Sequence, residues 1–227
     1  PEQQRRPRRA RRRLAAGGMV EAVTWSFLPR PQASHFGGGG EALELDNPIS
    51  VEMSSMRPSL LPGLITAAQR NRNRGFTDAA LFELGQAYRG DAPKDQMICA
   101  GGVRTGTALA SGSGRHWSGS AKEADLFAAK ADVMSLLAAL GFDPSKAQVT
   151  RDAPAWFHPG RSGTLRLGPK VVLAHFGEVH PATLKLLDSA GPVAAFEVFL
   201  DALPPEKKRS KARTAMASAE LLPVRRD

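Results

Sequence analysis

Five histidines, one cysteine and scattered serines and carboxylates are the groups in this 227-residue chain with types suited to nucleophilic, acid–base or metal chemistry. His35, His116, His158, His175 and His180 are dispersed, with no His-Glu-x-x-His pair and no Cys/His cluster. A metal site needs several such ligands converging, so each histidine reads as structural, and His175 as a half-buried residue in mid-strand. Cys99, the single cysteine, excludes an intramolecular disulfide framework and a multi-cysteine zinc site, and fits a reducing compartment. No serine lies in a Gly-x-Ser-x-Gly elbow, and Asp143 and Asp152 have no spacing that would bring them together on a helix. The glycines at 37–40 lack the Lys-Ser/Thr of a phosphate-binding loop and read as a plain loop. Spacing alone therefore supplies no active site.

Three clusters carry more information, because in each a Pro or Gly fixes the backbone beside a charged or hydrogen-bonding side chain. The first runs from Asn47-Pro48 to Met56-Arg57-Pro58-Ser59-Leu60-Leu61-Pro62-Gly63-Leu64. The second is Phe82-Glu83-Leu84-Gly85 leading to Arg89. The third is Phe157-His158-Pro159-Gly160-Arg161, followed by Gly177-Glu178-Val179-His180-Pro181.

The elements that must position these clusters follow from pattern and punctuation. Arg and Ala favour a helix over 4–16, ended by Gly17 and Gly18. A strand is expected over 20–28. Ser59 caps a helix whose apolar stripe is Leu60, Leu61, Leu64, Ile65 and Ala68, with Pro62 in its first turn. Arg70, Arg72 and Arg74 crowd its last turn and Gly75 closes it. Strands are expected over 80–88, 97–103, 148–151, 163–167, 171–179 and 193–200, with a helix over 181–188. A further helix, capped by Asp125 and ending at Gly141, carries Val133, Leu136, Leu137 and Leu140 as its stripe. Runs of strands with few helices predict an α+β fold, a largely antiparallel sheet with helices on one side. No apolar run is long enough to span a membrane, and a first residue of Pro1 predicts a piece of a longer chain.

The formal charge of +9 points at face value to nucleic acid. Its distribution changes that. Residues 1–13 carry +6 and residues 206–227 carry +4, leaving −1 for the body between.

The three clusters, in this order, resemble the beta subunit of bacterial-type phenylalanyl-tRNA synthetase. The resemblance implies a class II synthetase-like antiparallel sheet flanked by helices over 1–203. It makes 204–227 a linker and the entry to an anticodon-binding domain. Arg8 to Leu28 is similar to the class II motif 1, a subunit-pairing element, which assigns pairing roles to Arg8, Arg11, Arg12, Leu14, Glu21 and Thr24. Glu83 and Arg89 resemble the strand of motif 2, whose Arg holds ATP and substrate. The Glu that usually follows that Arg is absent. The stretch 194–201 has neither the glycines nor the Arg of motif 3.

The module is therefore expected to be catalytically silent, with no catalytic residue and no cofactor or metal of its own. Glu83 and Arg89 are expected as a solvent pair in a vestigial pocket, and His158, Arg161, Glu178 and His180 as a hydrogen-bonded corner with Pro159 and Gly160. Arg57 either anchors its loop by bonding carbonyls or contacts a partner. Asn47, Pro48, Ser59, Pro62 and Gly63 share this structural or interface reading. The resemblance further implies a cytoplasmic heterotetramer of two alpha and two beta subunits, using ATP and magnesium to charge tRNA with phenylalanine. Within it the Arg-rich helix meets either acidic residues of the alpha subunit or tRNA phosphates. The competing class is a stand-alone basic RNA-binding module, against which the neutral body counts.

Overall fold

The structure, a computed structural model, describes residues 2–109, 114 and 121–205. Most of the expected downstream linker, beyond residue 205, lies outside the described residues. Helix α1 (Glu2–Ala16) buries Ala10 and Leu14 and leaves most of its arginines outward. Gly18, at φ 78°, turns the chain out of it.

The segment expected as one strand over 20–28 is two short ones. Strand β1 (Val20–Glu21) joins the main sheet, and β2 (Phe27–Leu28) pairs with β3 (Ser55–Met56) in a separate two-stranded ribbon. Alternation of residue types cannot reveal that the chain changes sheets between them. Helix α2 (Arg30–His35), not expected from sequence, follows β2 with Pro31 in its first turn.

Helix α3 (Leu61–Asn73) buries the anticipated stripe, with Leu60, Leu61 and Leu64 at 0 % exposure. Ser59 Oγ accepts the Leu61 N–H at 3.1 Å, so the expected cap operates, one residue ahead of a Leu60 already in helical conformation. Strands β4 (Ala80–Tyr88) and β5 (Gln96–Thr105) pair antiparallel. Asp125 caps α4 (Leu126–Ala139), its carboxylate accepting from Phe127 N and Ala128 N at 2.9 and 3.0 Å. The remaining elements are β6 (Gln148–Thr150), β7 (Phe157–Leu167), β8 (Val171–Val179), α5 (Pro181–Leu186) and β9 (Val193–Phe199).

Seven strands form one sheet in the order β1-β4-β5-β9-β8-β7-β6, all antiparallel except the β1–β4 pair. Helices cover both faces rather than one. Helices α1 and α4 pack on one face with Phe82, Phe176 and Phe196; α3 and α5 pack on the other with Val103, Ala195 and Phe199. The reason is visible in β9, where all seven residues are buried, which an antiparallel strand with a wet face would not show.

Candidate functional site

At one level the sheet pairs Glu83, Gly101, Glu197, His175, Thr164 and Thr150, one residue from each of β4, β5, β9, β8, β7 and β6. Directly paired residues point to the same face, here the face under α3. This polar row crosses an otherwise apolar layer. The backbone of 57–60 lies over it as a strap. Leu60 fills the gap above Gly101, where a Cβ on that glycine would fall 3.0 Å from the Leu60 Cβ.

Two buried carboxylates hold the strap. Glu83, 3 % exposed, accepts from Arg57 Nη1 at 2.8 Å and from Thr24 Oγ1 at 2.6 Å. Arg57 also donates to the Gln86 carbonyl at 2.9 Å and to Thr24 Oγ1 at 3.0 Å. Glu197, 3 % exposed, accepts from Leu60 N at 2.8 Å and from Ser59 Oγ at 3.0 Å. It thereby sits at the positive end of α3. Gly85 leaves room for the guanidinium, and Gly63 for Thr24, whose Oγ1 would be 2.4 Å from an added Cβ. Pro62 is buried in the first turn of α3.

The expected Glu83–Arg89 pair does not form. Six residues along a strand span about 20 Å, and Glu83 turns under α3 to Arg57. Arg89, beyond the end of β4, lays its guanidinium over the Phe199 ring, 5.8 Å from the centroid. Nor is Glu83 a solvent group.

Burial raises Glu197 to about 7, against the lowering pull of the Leu60 N–H, Ser59, Arg57 and Arg89. Burial, and then Glu197, push the Cys99 thiol well up, away from reactivity. Burial lowers His175 to about 4, and its Nδ1 lies 2.9 Å from Thr164 Oγ1. The ATP and magnesium implied by the resemblance do not fit here. Both carboxylates are consumed by the strap, Leu60 occupies the sheet face, and no group of three His, Cys, Asp or Glu among the described residues could hold a metal ion. The arrangement holds a loop and offers no unengaged reacting group.

The third cluster is a bulge. Between the pairs Phe157↔Val179 and Ser162↔Gly177, β7 advances five residues while β8 advances two. Arg161 Nε meets Glu178 Oε2 at 2.5 Å, and the His158 and His180 rings stack 6.2 Å apart. Each His accepts a backbone N–H at Nδ1, from Gly160 at 3.1 Å and from Ala182 at 3.0 Å, which places the proton of the neutral ring on Nε2. Pro159 and Gly160 are exposed at the tip. A groove of about 680 Å³ opens beside Arg161 and Glu178, floored by Leu184.

In the first helix, Leu14 is buried while Arg8 and Arg12 are exposed, and Arg11 Nε meets Glu21 at 2.7 Å. Thr24 is spent on the strap. Val23 and Trp25 beside it are 91 % and 70 % exposed. Asn47 and Pro48 lie on the surface before Ile49 and Val51, themselves 92 % and 85 % exposed.

Two sites escaped the sequence reading. Glu197 is the only charge in the apolar run 193–200, and that isolation was the available signal. Arg104, 2 % exposed, pairs with Asp132 at 2.6 and 2.9 Å and donates to the carbonyls of Ala108 and Gly17, tying β5 to α4 and the end of α1. Nothing local in the sequence links residues 104 and 132.

The family described as the phenylalanyl tRNA synthetase beta chain CLM domain matches residues 1–200. The chain is 52 % identical over 225 residues to the phenylalanine–tRNA ligase beta subunit of Bradyrhizobium diazoefficiens, covering 99 % of this chain and 28 % of that one. It is 53 % identical over 226 residues to the beta subunit of Rhodopseudomonas palustris, with the same coverage. The chain thus spans little more than a quarter of the length of these relatives. Among solved structures, a pyrrolysyl tRNA synthetase from Desulfitobacterium hafniense superposes with a TM-score of 0.63 at 15 % identity, over 88 % of this chain and 67 % of that one. A second structure of the enzyme from that organism gives a TM-score of 0.61 at 16 % identity, over 87 % and 66 %. The fold is that of a class II synthetase.

Proposed function

Since the chain belongs to the phenylalanyl-tRNA synthetase beta chain family, in its CLM domain, we propose that it is the non-catalytic, class II-like module of a phenylalanine–tRNA ligase. On this reading residues 1–203 form the module. It pairs with a catalytic alpha subunit in a tetramer of two alpha and two beta chains, which charges tRNA with phenylalanine in the cytoplasm using ATP and magnesium. The observation that carries the non-catalytic role is the strap. Leu60 fills the sheet face under α3, and the carboxylates there are tied to Arg57, Ser59 and the Leu60 N–H, so the face offers a nucleotide neither open surface nor a free carboxylate.

What the module offers instead is surface. Val20, Val23 and Trp25, after α1, and Ile49 and Val51, before the strap, are large apolar side chains left exposed. Exposed apolar patches mark interaction surfaces, and Trp, here Trp25, is among the residue types that carry most binding energy. The strap's role is then to fix both surface segments, because Thr24 and Arg57 share Glu83. Co-expression with the alpha subunit tests this. The parent chain co-purifies with it; Val23→Ser/Trp25→Ser loses at least tenfold in pairing affinity while its unfolding temperature holds. Unchanged pairing in that variant would remove this surface from the interface.

A further inference from the structure

The C-terminal end of α3 reads Arg70-Asn71-Arg72-Asn73-Arg74-Gly75-Phe76, and neither the strap nor the pairing surface uses it. Two independent features mark it. The first is charge. Arg70 and Arg74 are exposed, Arg72 is half-buried, and none of their side chains bonds or pairs with a described residue. Arg70 and Arg74, four residues apart, lie on one helix face, where like charges repel. Cations at a helix end have a bland explanation, service to its unsatisfied carbonyls. Here the backbone itself closes the end. Gly75 N donates to the Arg72 carbonyl at 2.9 Å and Phe76 N to the Asn71 carbonyl at 3.0 Å, with Gly75 at φ 92°. Asp78, four residues beyond Arg74 in sequence, accepts from Thr107 N at 2.7 Å and makes no ion pair with these arginines.

The second feature is Phe76. The residue at this position of such a helix end commonly folds back onto the helix. Phe76 is instead 65 % exposed, held in place by its own N–H bond. A solvent-facing ring whose backbone is fixed, beside three uncompensated guanidiniums, offers a base-stacking platform with phosphate partners. A protein partner fits less well. The residues flanking Phe76 in sequence, Asn73, Arg74, Thr77 and Asp78, are exposed and polar, so the ring is not part of an extended apolar patch.

We propose that the end of α3 is an RNA contact of the single-stranded kind, with Phe76 stacking an unpaired base and Arg70 and Arg74 meeting the flanking phosphates. This deepens the synthetase reading, because tRNA is the RNA that reading supplies. It stands apart from pairing with the alpha subunit.

Binding of a fluorescent 12-nucleotide single-stranded RNA of mixed sequence to the 227-residue chain, followed by anisotropy between 50 and 200 mM salt, tests it. The parent binds at about micromolar strength at the low-salt end. Phe76→Ala and Phe76→Leu weaken binding about tenfold, and Phe76→Tyr keeps it. Arg70→Gln/Arg74→Gln reduces the slope of log K against log salt by about 1.4, from roughly 0.7 per phosphate contact. A duplex of the same length binds at least tenfold more weakly than the single strand. No binding by the parent, equal binding by the Phe76 and Arg70/Arg74 variants, or full recovery with Phe76→Leu would each overturn the proposal. So would a loss seen only when Arg5, Arg8 and Arg12 are replaced by Gln, which moves the contact to α1. Alpha-subunit pairing is measured on the same variants. Its loss with RNA binding intact makes the patch a protein contact, again against the proposal. Loss of RNA binding with pairing intact is the expected result.

Discussion

Replacing Arg57 with Ala removes one half of a buried ion pair whose side chains are 5 % and 4 % exposed. Three bonds shorter than 3.1 Å are lost, to Glu83, Thr24 Oγ1 and the Gln86 carbonyl. Glu83 is left charged under α3 with Thr24 as its remaining side-chain partner. Breaking such a pair on one side costs about 3–5 kcal/mol, a large share of a total stability of roughly 5–15 kcal/mol. For a chain of this length the expected fall in unfolding temperature is roughly 6–20 °C. The assay is thermal unfolding by circular dichroism of the parent, Arg57→Ala, Glu83→Gln and the double variant. The double variant should be more stable than Arg57→Ala alone, because the stranded carboxylate has been neutralised. The reasoning is refuted if Arg57→Ala unfolds within about 2 °C of the parent yet no longer pairs with the alpha subunit. Arg57 would then be a contact residue rather than the anchor of the strap.

Two groups in the polar row respond to pH in opposite senses. Glu197, raised to about 7 from an ordinary 4.5, contributes stability that is present below pH 4.5 and lost as pH rises through 7. His175, lowered to about 4 from 6.5, contributes stability that is present above pH 6.5 and lost as pH falls through 4. Each effect is about 3 kcal/mol at most, so they largely cancel in the parent between pH 4.5 and 6.5. Urea titrations across that window should show Glu197→Gln losing stability on acidification and His175→Gln gaining it; matching pH profiles in both variants would show the assignments to be wrong. Asp132→Ala should cost about 3–5 kcal/mol by stranding Arg104. It should also speed amide exchange in α1 more than in α3, since Arg104 also bonds the Gly17 carbonyl; equal acceleration in the two helices would count against that link.

The sequence was most legible where local signals decide structure. Asp125 and Ser59 mark the starts of α4 and α3 because a cap is a contact between near neighbours. Strand β4 has the expected limits of 80–88, and its partner β5 follows it directly in the chain as the other arm of a hairpin. Legibility failed where a distant segment decides. β2 departs from the main sheet because β3, nearly thirty residues on, is its partner. The start of β7 was obscured because Pro159 and Gly160 signal a turn, whereas the chain there is a bulged strand. For Glu83 the sequence points to Arg89, six residues on, whereas Arg57 reaches it from above the sheet. Asn47, Pro48, Arg8 and Arg12 are exposed, so the chain's own packing assigns them no role.

Arg6 has a consequence for how such a module sits within a longer polypeptide. From inside α1 its guanidinium donates to the carbonyls of Leu200 and Leu203, at 3.2 and 2.9 Å, and to that of Pro204. The path into the sheet and the path out of it are thus fastened at one corner. A polypeptide running through this body enters and leaves side by side, so the whole module could be excised and the gap spanned by a short linker. The same stitch resists peeling, because tension on either arm of the corner, α1 or the segment after β9, loads these hydrogen bonds before it reaches the sheet.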